Sequence, residues 1–196
     1  MRQTVIPKSP HAYNQRGLGY LERERYTEAI NDFTCAIDIN PDFVGSYNNR
    51  GIAYRAMGRY GLAYNDFSEA VMLDSNFVDA YYNRGNLYIK IGEYNSAIDD
   101  YSRVIGMRPD YFDAYINRGN AYGRKGSYEL AIEDYNRVLE RAPNNNRALY
   151  NRAVAYYYLK RYNDALRDLQ ILRGLGYSVD RDIIEMLMKH IAGSIE

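Results

Sequence analysis

Two histidines, one cysteine and a recurrent arginine and aspartate pair are the residues of this 196-residue chain whose types could do chemistry. His11 and His190 stand near opposite ends, and neither has a cysteine or a second histidine at metal-ligand spacing, so no metal site is expected. Cys35 lies in a helical stretch beside Ala36, where a buried, inert thiol is expected rather than a nucleophile. One cysteine makes no internal disulfide, which suits a reducing compartment. No glycine-rich phosphate loop and no paired catalytic constellation occurs. The reading is of a protein that is not an enzyme and needs no cofactor.

The charged residues repeat. Arg16, Arg50, Arg84, Arg118 and Arg152 are each 34 residues apart, and so are Asp32, Asp66, Asp100, Asp134 and Asp168. A planar guanidinium can pair with a carboxylate through two hydrogen bonds, so five arginines matched by five aspartates predict a structural ladder, either within one repeat or between neighbours. The functional alternative is an arginine row that grips phosphate or acidic ligands, but a matched aspartate for every arginine neutralises it. The whole chain is balanced in the same way, with 25 lysines and arginines against 25 aspartates and glutamates. No net field draws in nucleic acid or an anionic membrane.

Five copies of a 34-residue period must position these groups: 10–43, 44–77, 78–111, 112–145 and 146–179, with 1–9 as an N-terminal extension. Numbered within the repeat, position 8 is Gly17, Gly51, Gly85, Gly119 and Ala153, and position 20 is Ala29, Ala63, Ala97, Ala131 and Ala165. Small residues at both positions let two antiparallel helices approach closely. Aromatic rows fill positions 4, 11, 17 and 24 and take up most of the 23 tyrosines, which makes the tyrosine excess packing rather than a ligand cage. Gly58, Gly92 and Gly126 mark the turn between the two helices, and Pro41, Pro109 and Pro143 mark the turn between repeats.

This period and pattern resembles the tetratricopeptide repeat family over 10–179. The resemblance implies an all-α, right-handed superhelical solenoid of five helix-turn-helix repeats. Terminal repeats deviate, as expected where only one neighbour exists: Ala153 replaces glycine, and Tyr177 follows the breaker run Gly174-Leu175-Gly176. Residues 180–196 form the C-terminal cap, with a helix over 180–191 carrying Ile183, Ile184, Leu187, Met188 and Ile191 on one stripe. With Met186 the stripe is wider than one neighbour covers, which leaves room for weak self-association.

The resemblance also implies a concave face lined by the first helix of each repeat. The residues it places there are Asn14, Leu18, Asn48, Ile52, Arg55, Tyr82, Asn86, Ile89, Ile116, Asn120, Tyr150, Val154 and Tyr157, with Phe43, Phe77 and Tyr111 at its border. Asparagine amides donate and accept at once, so Asn48, Asn86 and Asn120 suit the backbone of an extended peptide. The adjacent row Asn49, Asn83, Asn117 and Asn151 could do the same or could join repeats to each other. A clamp for an acidic C-terminus needs lysines that are missing here, and only Arg147 partly matches. The function expected is a scaffold that binds a protein or peptide. The alternatives are self-assembly through the terminal helices, and a solenoid that reads single-stranded RNA, which lacks the unpaired cations it would need. The first residues lack the apolar run of a signal peptide, and no stretch is long enough to span a membrane, so a soluble cytoplasmic protein is expected.

Overall fold

The computed structural model describes residues 9–192; the extension over 1–8 and the last four residues of the cap lie outside the described residues. Eleven helices occupy that range: α1 Pro10–Leu21, α2 Tyr26–Ile39, α3 Val44–Ala56, α4 Tyr60–Leu73, α5 Val78–Ile91, α6 Tyr94–Met107, α7 Phe112–Arg124, α8 Tyr128–Arg141, α9 Asn146–Tyr158, α10 Tyr162–Gly174 and α11 Arg181–Ala192. Strands are absent among the described residues, and no helix there is long and apolar enough to cross a membrane.

The chain divides into two compact units, Met1–Glu93 and Tyr94–Glu196, and the division falls between α5 and α6. In the first unit α1 packs on α2, α2 on α3, α3 on α4 and α4 on α5, with the odd-numbered helices also touching in sequence. The second unit repeats the order from α6 to α10, and α11 closes it against α10.

Local chemistry sets the helix ends. Ser9 accepts a hydrogen bond from the Ala12 amide at 3.2 Å, with Pro10 in the first turn, and Asn145 caps α9 through the Ala148 amide at 2.9 Å. Within repeats two to four, Gly58, Gly92 and Gly126 end the first helix with φ of 73°, 85° and 79°. Glu24 and Lys160 adopt the same left-handed backbone at φ 57° and 58° in the first and last repeats, where a side chain is disfavoured. Repeat two has Ser75 where others have proline, yet Asp74 accepts from the Asn76 amide at 2.9 Å and makes the turn without it.

Packing explains the small residues. A Cβ on Gly17, Gly51 or Gly119 would lie 2.6, 2.7 or 2.6 Å from the ring of Phe33, Phe67 or Tyr135. Each glycine is therefore the seat of an aromatic ring from position 24 on the second helix. In the last repeat Leu169 replaces the ring, and position 8 carries Ala153. Phe33, Phe67 and Tyr101 are wholly buried, as are Ala29, Ala63, Ala97 and Ala131. Burying a large apolar side chain of this kind stabilises by roughly 1.5 to 3 kcal/mol.

Candidate functional site

The arginine and aspartate rows form the most regular polar feature of the fold. Arg16 Nε and Nη2 donate to Asp32 at 2.7 and 2.6 Å, and Arg50 donates to Asp66 at 2.9 and 2.8 Å. In the second unit Arg118 donates to Asp134 at 2.9 and 2.7 Å, and Arg152 to Asp168 at 2.8 and 2.6 Å. All four pairs are bidentate and join the two helices of one repeat. Hydrogen bonds donated to Asp134 raise the Arg118 guanidinium above its ordinary value and outweigh its burial.

A third partner had no place in the sequence reading. Arg50 Nη1 donates to Thr34 Oγ1 at 3.0 Å, Arg84 to Ser68 Oγ at 3.2 Å, Arg118 to Ser102 Oγ at 2.9 Å and Arg152 to Asn136 Oδ1 at 2.6 Å. These acceptors all sit at position 25 of the preceding repeat. The guanidinium of Arg50, Arg118 or Arg152 thus ties the two helices of its own repeat to one of the repeat before. Tyrosine rings flank it, as where Arg118 lies 5.7 Å from the Tyr115 centroid and 6.0 Å from Tyr122. Such arginines are spent on the fold, which leaves no cationic row for phosphate.

The asparagines divide by position. Asn14 is 7% exposed and Asn48 is 5% exposed, well inside rather than lining an open face. Asn14 Oδ1 accepts from Ser46 Oγ at 3.1 Å and from Asn49 Nδ2 at 3.0 Å, and Asn48 Oδ1 accepts from Asn83 Nδ2 at 2.9 Å. In the second unit Asn151 Nδ2 donates to Asn120 Oδ1 at 2.8 Å. The position-6 residues Asn49, Asn83 and Asn151 therefore reach the preceding repeat while staying half-buried. Asn117 accepts from Arg147, whose guanidinium also pairs with Asp113, so Arg147 is committed as well. Ile116, at 1% exposed, belongs to the core of the second unit.

Accessible surface remains at the other positions of the first helices. Leu18, Ile52, Arg55, Tyr82, Asn86 and Ile89 are half-buried in the first unit, as are Phe43 and Phe77. In the second, Asn120, Tyr157 and Tyr111 are half-buried, while Tyr150 at 49% and Val154 at 39% are exposed. Asn120 Oδ1 accepts a second bond, from the buried Tyr135 hydroxyl at 2.8 Å, so the polarity of its amide is fixed with the N–H donors outward. Burial pushes the Tyr135 phenol well above its ordinary value.

The reactive residues have other surroundings than expected. Cys35 is half-buried rather than buried. His190 is exposed, and its ring stacks on Tyr162 with centroids 4.7 Å apart and an interplanar angle of 15°. Among the described residues no group of three histidine, cysteine, aspartate or glutamate side chains could hold a metal ion.

Comparison with known proteins places this architecture. Sequence profiles of the TPR repeat match residues 17–58, 52–92 and 85–126, and profiles of the tetratricopeptide repeat match 112–145 and 147–174. No curated protein matches the chain. Among solved structures, one of MamA is 24% identical over 87% of this chain and 97% of its own, with a TM-score of 0.73. A MamA RS-1 double mutant is 19% identical over 88% and 97%, with a TM-score of 0.81. YrrB, described as a TPR protein with an unusual peptide-binding site, is 19% identical over 91% of both chains, with a TM-score of 0.76. At these identities the likeness is one of fold.

Proposed function

The chain belongs to the tetratricopeptide repeat family, and from that premise we propose that it is a non-catalytic scaffold binding an extended protein or peptide segment along the open face of its first helices. The observation that carries the reading is the accessible set itself: Leu18, Ile52, Arg55, Tyr82, Asn86, Ile89, Asn120, Tyr150, Val154 and Tyr157 keep surface on the first helices, and of these ten only Arg55 is charged. Asn14, Asn48 and Ile116 support that face from beneath.

The chemistry of the accessible set suits a partner of low charge. Tyrosines offer rigid contact area with a polar tip, and the Asn120 amide offers N–H donors to a peptide carbonyl. RNA fits poorly, because the recurrent arginines are held by carboxylates. The test is a quantitative pull-down from native extract with the wild-type chain and a Tyr82→Ala, Asn86→Ala, Asn120→Ala variant of matched melting temperature. A protein retained by the wild type and lost by the variant is expected; identical retention by both contradicts the reading.

A second reading has its own observation. Ile183, Met186 and Met188 of α11, Ile171 of α10 and Leu175 just after it are exposed apolar side chains at one end of the second unit. Sedimentation at tens of micromolar, a concentration on the order of a weak interface's dissociation constant, tests self-association through this end. Monomer alone removes it.

A further inference from the structure

The turns that join the two helices of repeats four and five meet along one edge of the second unit. Tyr128, which opens α8, stacks on Tyr158 at the end of α9, with centroids 4.7 Å apart and planes 4° from parallel. Tyr158 meets Tyr157, and both Tyr157 and His190 meet Tyr162, the first residue of α10. The last turn of α11 therefore reaches the same edge as the two turns. We infer that this edge is a second binding surface, separate from the groove of the first helices, for an acidic segment of a partner protein.

Charge sets this edge apart from the balanced chain around it. Arg124 and Lys125 end α7, Lys160 and Arg161 fill the turn after α9, and Lys189 stands in the last turn of α11; all five are exposed. Arg124, Lys160 and Lys189 make no ion pair among the described residues. Lys125 donates to the neutral amide oxygen of Asn95 and keeps its charge uncompensated by that bond. Only Glu129 and Asp164 supply carboxylates on the first turns of α8 and α10, and Asp164 is shared between Arg161 and Arg167. The carboxylates further out are Glu93 ahead of α6, Glu133 on α8, and Asp182 and Glu185 near the other end of α11, where Arg181 holds Glu185. Cations thus outnumber carboxylates along the edge itself.

Backbone geometry points the same way. A cation at a helix C-terminus is favoured by the dipole, which accounts for Arg124 at the end of α7. Lys160 has no such explanation: its φ of 58° is left-handed, and repeats two to four place Gly58, Gly92 and Gly126 in that turn without strain. Repeat one shares the strained backbone at Glu24, but there Glu22 and Glu24 balance Arg23 and Arg25, so its turn carries no surplus. The rings decide among polyanions. Single-stranded nucleic acid binds by stacking bases on open aromatic faces, whereas Tyr128 and Tyr158 cover one another and His190 covers Tyr162. What remains is a spread of ammonium and guanidinium donors over two turns and a helix end, which suits carboxylates carried on a flexible chain.

The test uses the full chain labelled with nitrogen-15 and capped peptides of alternating Glu-Ser or Gln-Ser. The Glu-Ser peptide is expected to shift the backbone amides of residues 124–126, 158–161 and 189–190, with affinity that falls as salt rises from about 0.03 to about 0.3 M; the Gln-Ser peptide is expected to shift none of them. Lys160→Gly and Arg124→Gln should each weaken binding about two- to fivefold, while Arg137→Gln on α8 leaves it unchanged. Lys160→Gly should at the same time melt above the wild type, which separates a lost contact from a damaged fold. Full binding by Lys160→Gly, or shifts confined to the groove residues, overturns the inference and leaves the groove reading standing. An oligothymidine bound more tightly than the Glu-Ser peptide makes the ligand a nucleic acid. Amide shifts that grow with protein concentration alone make it a second copy, and binding gained only in Glu196→Gln makes it the chain's own end; each of these outcomes also overturns the inference.

Discussion

Two rows of the first helices, two positions apart in the repeat, behave in opposite ways. At position 7 the same residue recurs in every repeat, from Arg16 to Arg152, and the contacts of Arg50, Arg118 and Arg152 lie between helices of the same and the preceding repeat. At position 9 the residue changes, from Leu18 and Ile52 to Asn86, Asn120 and Val154, and every one keeps accessible surface. Translation explains the difference. A contact made by stacking identical elements must be repeated in each element, so recurrence marks what builds the array. A surface facing a partner has no such requirement, and it is free to differ along its length.

The comparison is broken most severely at a single rung. Asp134→Ala leaves the Arg118 guanidinium, 19% exposed, without its carboxylate, and should cost about 3 to 5 kcal/mol. Adding Arg118→Met should recover most of that loss, whereas Glu185→Ala, which opens the exposed Arg181 pair, should cost under about 1 kcal/mol. Chemical denaturation of the three variants beside the wild type measures the order.

Gly119→Ala is the next in size. Its new Cβ meets the Tyr135 ring at 2.6 Å, and overpacking of this kind costs about 1 to 3 kcal/mol. Replacing the ring as well, in Gly119→Ala with Tyr135→Leu, copies the Ala153 and Leu169 pair of the last repeat. The coupling between the two substitutions should be favourable in a double-mutant cycle.

Alkaline pH probes the same ring. Folding holds the Tyr135 phenol neutral, its O–H donating to Asn120 Oδ1, and burial raises it above the unfolded value of about 10. A group raised on folding contributes its stability in full below the unfolded value, and the contribution is lost as pH climbs from there. Unfolding midpoints should therefore fall above pH of about 10, and Tyr135→Phe should flatten that fall.

The smallest changes sharpen the comparison. Tyr150→Ala should alter stability by no more than about 0.5 kcal/mol, as expected of a surface position. Lys160→Gly should raise it by roughly 0.5 to 1 kcal/mol by relieving a left-handed backbone that glycine adopts freely. Both are read from thermal melts.

The sequence carried the repeat, the paired charges and the small-residue seats, because each depends on spacing alone. Which helix the arginine would meet was open, since an aspartate in the same repeat and one in the neighbour lie at similar separations. The position-25 acceptors escaped notice because Thr34, Ser68, Ser102 and Asn136 share a function and not a residue type. Asn14 and Asn48 fall on the ligand-facing side by helical periodicity, but the neighbouring repeat covers them with Ser46, Asn49 and Asn83, which a single repeat cannot reveal. Asn120 had a readable signal: Asn at position 9 occurs only where position 24 is tyrosine, in repeats three and four.

The central claim is that the variable face of the first helices meets the partner and the outer face of the second helices does not. A photo-crosslinking residue placed at Val154 and, separately, at Arg137, which is 68% exposed on α8, tests it in native extract. The account predicts a discrete adduct from position 154, competed by unlabelled wild-type chain, and none from position 137. An adduct confined to position 137 would contradict it.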